Sequence, residues 1–306
     1  MNALARTIGV VGLGKMGLGI ARRLLTHGYD VTGFDRDSAA RSGAADSGIV
    51  VTESVKEVVA GLDAPRTIWL MVPAGAATEE VVLEMAVHLS EGDLLVDGGN
   101  SYYRDSMRRA EVLATNGILF LDVGTSGGVG GEQLGYCVMV GGAGEAVERA
   151  VEIFDALSFD GRAGWRHVGP SGSGHFVKMI HNGIEYGMMQ ALAEGLALLE
   201  ARSDIDLDLA EISELWRHGS IVSSRLLDHV TEALSADARL SDVSPYVADS
   251  GEGRWMVQEA LDLAVPAPVI TLALLQRFRS GIDDSFADRL LSAMRLGFGG
   301  HQPKHP

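Results

Sequence analysis

The chain has 306 residues, 46% hydrophobic and 22% charged, a balance that suits one large or two ordinary globular domains. Its formal net charge of −16 excludes a nucleic-acid binder with a basic face, though a local cationic pocket can still hold an anionic small molecule. A single cysteine, Cys137, excludes an internal disulfide and a cysteine-based zinc cluster, and no apolar run reaches the roughly 18–20 residues that cross a bilayer. A cytoplasmic protein is expected. The first residues read as a mature start, because removing them as a leader would destroy the first strand.

The apolar run TIGVVGL (7–13) predicts a buried strand, followed by a helix through 21–25. Further strands are predicted at 29–35, 67–72, 94–97 and 118–122, with helices at 77–89 and 106–115 between them. This alternation implies a parallel sheet covered on both faces, and continuously apolar strands such as TIWLMV are what two-sided burial demands. After GPSGSG (169–174) the character changes. A helical pattern runs for about 28 residues from His175, and further helices are predicted at 207–218, 225–234, 255–264, 266–280 and 284–296. The expected α/β architecture is an N-terminal Rossmann-type doubly wound domain (1–172) followed by an all-helical C-terminal domain (173–306).

Gly12-Leu13-Gly14-Lys15-Met16-Gly17 follows the first strand and opens the first helix. Such glycines permit a tight turn, close approach to a pyrophosphate and close helix–strand packing, with the phosphates on a helix N-terminus. Asp35, 18 residues beyond Gly17, stands where an acid hydrogen-bonds the adenosine ribose and repels a 2′-phosphate. NAD is therefore the expected cofactor and NADP the alternative, since Arg36 can pair with a 2′-phosphate, stack on adenine or simply be solvated. Val72, Pro73 and Ala74, at the end of the 67–72 strand, and Asn100, after the 94–97 strand, complete the expected cofactor contacts.

Lys178, His181, Asn182 and Glu185 are spaced i, i+3, i+4, i+7, which puts them on one face of one helix. A polar stripe is usually a solvated surface, but this helix is otherwise apolar. Its residues suit oxidation of a secondary alcohol: a lysine with a depressed pKa takes the hydroxyl proton as the hydride leaves, and Asn182 orients the hydroxyl. Glu185 is a second proton-transfer group, which suggests more than a simple oxidation. Gly124-Thr125-Ser126-Gly127-Gly128 can bind a substrate carboxylate in a backbone nest or be an ordinary turn.

At GLGKMG, DGGNS (97–101), SGG (126–128) and KMIHNGIEY (178–186), the chain resembles the β-hydroxyacid dehydrogenase superfamily, and within it the decarboxylating 6-phosphogluconate dehydrogenases of the short bacterial form. The resemblance implies that Lys178 takes the C3 hydroxyl proton, that the 3-keto acid loses CO2, and that Glu185 protonates C1 to give ribulose 5-phosphate. It also implies that Asn100, Ser126, Gly127, Gly128, His181 and Asn182 hold the sugar-acid phosphate while Tyr186 reaches toward its phosphate. A KGTG-type phosphate turn of the family is replaced by Ser250-Gly251-Glu252-Gly253, although Arg254 is nearby and Arg277 matches. Arg295 and His301 match a tail that completes the neighbouring subunit's site, so a homodimer or homotetramer is expected. Two other readings compete: a β-hydroxyacid dehydrogenase without decarboxylation, and a non-catalytic cofactor-binding module. The first leaves His181, Glu185, Tyr186 and the tail unexplained, and the second predicts loss of Lys178 or Glu185.

Overall fold

The structure, a computed structural model, describes residues 6–299, and side chains for residues 6–296. The first part of the chain contains β1 (Thr7–Val11), α1 (Lys15–Thr26), β2 (Asp30–Phe34), α2 (Ser38–Ala45), β3 (Val50–Val51), α3 (Val55–Ala60), β4 (Thr67–Leu70) and α4 (Ala76–His88). It continues with β5 (Leu94–Asp97), α5 (Tyr103–Ala114), β6 (Leu119–Ser126), α6 (Gly131–Leu134), β7 (Cys137–Gly142), α7 (Gly144–Leu157) and β8 (Trp165–Gly169). Six helices follow: α8 (Ser173–Glu200), α9 (Leu209–Arg217), α10 (Arg225–Ala236), α11 (Glu252–Asp262), α12 (Pro268–Ser280) and α13 (Phe286–Gly299). The chain divides into two compact units, Met1–His181 and Asn182–Pro306, with α8 running through the division.

The strands form one sheet in the order β3-β2-β1-β4-β5-β6-β7-β8. β1 pairs with β2 on one side and β4 on the other, so the direction of winding reverses at the carboxyl ends of β1 and β4. Open α/β sheets bind their ligands at this switch point. Neighbouring residues of one strand serve opposite cores, as two-sided burial requires. Trp69 packs with Leu24, Val96 and Phe154 on one face, while Ile68 and Leu70 pack with Val58, Val82 and Phe120 on the other. Each such large apolar side chain contributes about 1.5–3 kcal/mol when fully buried.

The five strands expected from the sequence pair in parallel, whereas β7, which was not expected, runs antiparallel to β6, with Ser126 opposite Cys137. Residues 127–136 join the two strands, and their only helix is the four-residue α6. A parallel crossover takes a dozen residues or more and usually a full helix, so this connection can only fold back. The parallel pattern resumes from β7 to β8, across α7.

Candidate active site

The glycine loop after β1 fits a dinucleotide pyrophosphate. Gly12 has φ +91°, and a Cβ there would collide with the Met71 carbonyl. A Cβ on Gly17 would collide with the Gly12 carbonyl, so both glycines are needed for loop and helix to close. Gly14 differs: it caps α1 without a side-chain hydrogen bond, and a Cβ there would meet nothing within 4 Å. The uncapped N–H groups of a 12-residue helix thus look onto open space, where an anion is favoured. Leu13 lends only its backbone, since its side chain is buried in the core; Lys15 is exposed and Met16 half-buried.

Asp35 holds this loop directly. One carboxylate oxygen accepts the Leu13 N–H at 2.6 Å and the other accepts the Asp37 N–H at 2.8 Å. Arg36 is drawn to Glu80 of α4, with Nη2 donating to Oε2 at 3.0 Å. Val72 is half-buried, and Pro73 and Ala74 are exposed, at the carboxyl end of β4. Asn100, exposed after β5, sits on a loop fixed by the buried Asp97, which accepts Ser101 Oγ at 2.7 Å and the Gly99 N–H at 3.2 Å. Arg109 of α5, itself buried, donates to Asp97 at 3.4 Å, to Glu79 at 3.0 Å and weakly to the Gly75 carbonyl at 3.5 Å. One guanidinium therefore ties the 72–75 and 97–101 loops together. Two hydrogen bonds from Arg108, aided by Arg109 and opposed by partial burial, lower the Glu79 pKa to about 2.

The start of α8 is held on β6 by a second buried acid. Asp122 accepts the Gly172 N–H at 2.6 Å and the His175 N–H at 2.9 Å, taking up donors that a helix N-terminus leaves unpaired. Gly124, Gly141 and Gly174 let helix and strands approach: a Cβ on Gly141 would lie 2.5 Å from Gly174 N, and one on Gly124 would run into the Lys178 side chain. Lys178 is 7% exposed, with Nζ 3.5 Å from Nδ1 of His181, whose Nε2 lies 3.2 Å from Ser126 Oγ. Gly127 (φ +130°) and Gly128 (φ +57°) follow, both in backbone conformations that favour glycine.

The polarity of α8 settles whether its stripe is a solvated surface. Lys178 and Asn182 are buried and His181 and Glu185 half-buried, whereas the apolar Val177, Ile184 and Met188 are exposed. A merely solvated helix face would show the reverse. In the second unit, Tyr186 is buried under Arg277, whose Cζ lies 3.5 Å from the ring centroid. Tyr186 Oη is 3.5 Å from Ser250 Oγ, and Arg277 also donates to the Ala248 carbonyl at 3.0 Å. Gly251 (φ +102°) caps α11 without a side-chain bond, and a Cβ on Gly253 would press 2.6 Å from the Tyr186 ring. Arg254 is paired with Asp249 and stacked over Phe278, which packs against the cluster containing Tyr186. Burial opposes ionisation of Asp249, but Arg254, the Gly251 N–H and Arg277 outweigh it and lower its pKa.

The sequence-predicted residues thus fall into groups. Lys178, His181 and Ser126 are brought together, as are Tyr186 and Arg277, while Gly12–Gly17 and Asp35 form the loop at β1. Arg295 is exposed on α13, with no hydrogen bond or ion pair to the Tyr186–Arg277 group, and His301 lies outside the described residues. Arg109 and Asp122 were missed, and Asp97, which opens the DGGNS motif, was not seen as the anchor of its loop. The signal was there: an acid set in an apolar strand must find partners if it is buried. No group of three or more His, Cys, Asp or Glu residues able to hold a metal occurs among the described residues. No helix among them is long and apolar enough to cross a membrane.

Family models match both halves of the chain: the NAD binding domain of 6-phosphogluconate dehydrogenase over residues 7–164, and the 6-phosphogluconate dehydrogenase C-terminal domain over 174–295. The chain is 44% identical to an NAD(+)-dependent, decarboxylating 6-phosphogluconate dehydrogenase of Haloferax volcanii, over 96% of this chain and 97% of that one. An NADP(+)-dependent decarboxylating relative from Bacillus subtilis is 38% identical over 90% of this chain, which spans 62% of that longer protein. Among solved structures, Plasmodium falciparum 6-phosphogluconate dehydrogenase superposes with a TM-score of 0.81 at 28% identity, covering 98% of this chain and 67% of that one. Mycobacterium tuberculosis 3-hydroxyisobutyrate dehydrogenase, at 23% identity and a TM-score of 0.73, shares the fold.

Proposed function

The chain belongs to the 6-phosphogluconate dehydrogenase family, and on that premise we propose that it converts 6-phosphogluconate to ribulose 5-phosphate and CO2 with reduction of NAD(P)+. The observation that carries this reading is the buried polar stripe of α8, where Lys178 is held against His181 and the Ser126 loop. A nicotinamide dinucleotide, when bound, supplies the hydride acceptor. Gly12–Gly17 with the N-terminus of α1, Asp35, Arg36, Val72–Ala74 and Asn100 would hold it, supported by the open space over Gly14.

Lys178 accepts the proton of the C3 hydroxyl as the C3–H bond breaks, and Asn182 and His181 orient that hydroxyl. The nest at Ser126–Gly128 takes the C1 carboxylate. Oxidation at C3 makes a β-keto acid, whose C1–C2 bond breaks with release of CO2 while Lys178 returns its proton to the C3 oxygen, leaving an enediol. Glu185 gives its proton to the carbon that has lost the carboxylate as Lys178 takes back the C3 hydroxyl proton, yielding the ketose. Tyr186 and Arg277 take the phosphate, aided by the uncapped start of α11, which stands in for a lysine-bearing turn. The protein works as a cytoplasmic homodimer or homotetramer. Exposed Val269, Leu272 and Leu275 form an apolar stripe along α12, and Phe286, Leu290 and Met294 form another along α13, which supports an interface there. Arg295 and His301 complete the neighbouring subunit's site.

The test supplies purified protein with 6-phosphogluconate and NAD+ or NADP+ and follows reduced cofactor and CO2 together. One CO2 per reduced cofactor is expected. Reduction without CO2 points to a non-decarboxylating hydroxyacid dehydrogenase, and no turnover on any hydroxy acid points to a binding module. Lys178→Met is expected to abolish cofactor reduction with dinucleotide binding intact; surviving activity would remove Lys178 as the base.

A further inference from the structure

Four acids (Asp35, Asp37, Glu53 and Glu80) and two arginines meet around the end of β2. Asp35 already receives a backbone N–H on each carboxylate oxygen, from Leu13 and Asp37. Arg36 Nη2 is engaged by Glu80 at 3.0 Å. Arg41 donates through Nη1 to the carbonyls of Asp35 and Arg36 at 2.9 and 3.3 Å, and through Nη2 to Glu53 at 2.8 Å. Both guanidiniums next to the expected ribose position are therefore matched by a glutamate, and Asp35 and Asp37 leave the group two negative charges in excess.

A 2′-phosphate brings about 1.5–2 further negative charges and is best gripped by both arms of a guanidinium. With Nη2 drawn to Glu80, the two-armed grip of Arg36 is reduced, and release from Glu80 restores it. That acid comes from α4, far in sequence from the β2 terminus where dinucleotide choice is normally read. We propose that Glu80 is a specificity-determining residue for the cofactor: it occupies Arg36 and adds a repelling charge, so that Asp35 is one of two acids disfavouring a 2′-phosphate. The proposal rests on the reading above that the chain binds a nicotinamide dinucleotide. It implies that Asp35→Asn alone gains little NADP+ affinity, because Arg36 stays engaged.

The test compares wild type, Glu80→Gln, Asp35→Asn and the double variant by calorimetric titration with NAD+ and with NADP+, without substrate, at low and moderate ionic strength. Glu80→Gln is expected to tighten NADP+ by about fivefold relative to NAD+, the scale of one exposed charge pair, and the gain should shrink as salt rises. The double variant should gain more than the two single gains multiplied, and Arg36→Met in the Glu80→Gln background should abolish the gain. An unchanged ratio of NADP+ to NAD+ affinity, or equal weakening of both, would overturn the assignment of Glu80. Wild type binding neither dinucleotide would instead overturn the underlying reading.

Discussion

Gly124→Ala tests whether close contact between β6 and α8 sets the position of the proposed base. The added methyl would lie 2.8 Å from the Gly174 carbonyl oxygen and 3.1 Å from Lys178 Cγ, and closer still to Lys178 Cβ. Carbon atoms normally rest about 3.5–4 Å apart, so strand and helix must separate by roughly 1 Å. None of these neighbours is the far end of a flexible side chain. Separation is opposed by the two hydrogen bonds from Asp122 to the start of α8. Overpacking of this kind costs about 1–3 kcal/mol. At the middle of that range, a unit of this size should lose about 4–8 °C in Tm. A shift of about 1 Å in a catalytic group can lower kcat about 100-fold. The glycine loop after β1 is not touched, so NAD+ affinity should stay within about twofold of wild type, well under the effect on kcat. Thermal unfolding, cofactor titration and steady-state reduction with 6-phosphogluconate measure the three quantities. A variant with wild-type kcat and Tm would refute the claim that Gly124 is small because Lys178 lies against it.

Other perturbations probe neighbouring parts. Asp122→Asn replaces an acceptor of two N–H groups with an amide that turns donors toward one of them; urea unfolding should show a loss of about 2–3 kcal/mol, and an unchanged midpoint would count against the anchoring role. Glu79 has a folded pKa of about 2 against 4.5 for the free side chain, so its stabilisation is complete above pH 4.5 and drains away as pH falls toward 2. Allowing for the half-exposed Arg108, this amounts to about 1–2 kcal/mol, and Glu79→Gln should flatten the decline of Tm across that window. Arg277→Met should raise KM for 6-phosphogluconate by about 10-fold or more with a smaller effect on kcat, the loss expected of a charge-assisted contact to phosphate. An unchanged KM would place the phosphate elsewhere.

Much of this was legible in the sequence because it is written in local periods. The apolar runs TIWLMV (67–72) and Leu94–Val96 announced strands buried on both faces, and the glycine loop announced the cofactor end. The i, i+3, i+4, i+7 stripe on α8 was legible as a face, though not which way it points; that took the exposure of Val177, Ile184 and Met188. What escaped depends on contacts distant in sequence. Asp122 meets Gly172 across 50 residues, Arg36 meets Glu80 across 44, and nothing local in either acid marks its partner. Strands β7 and β8 escaped altogether, and the antiparallel direction of β7 follows from the shortness of its connection to β6.

That reversed strand has a further consequence. Because β6 and β7 form one ladder, the segment between them starts and ends at the same edge, and its length can change without rerouting the backbone. Tyr136 pins its far end: the ring packs where a Cβ on Gly131 would be, and the hydroxyl lies against Gly19 of α1. Residues 129–134 thus form a short cassette next to the proposed carboxylate nest, bounded by a fixed clasp and tied to α1 where Arg23 donates to the Glu132 and Gln133 carbonyls. Grafts there that keep Gly131 and those two carbonyls in place would re-tune which hydroxy acid is accepted without rerouting the strands.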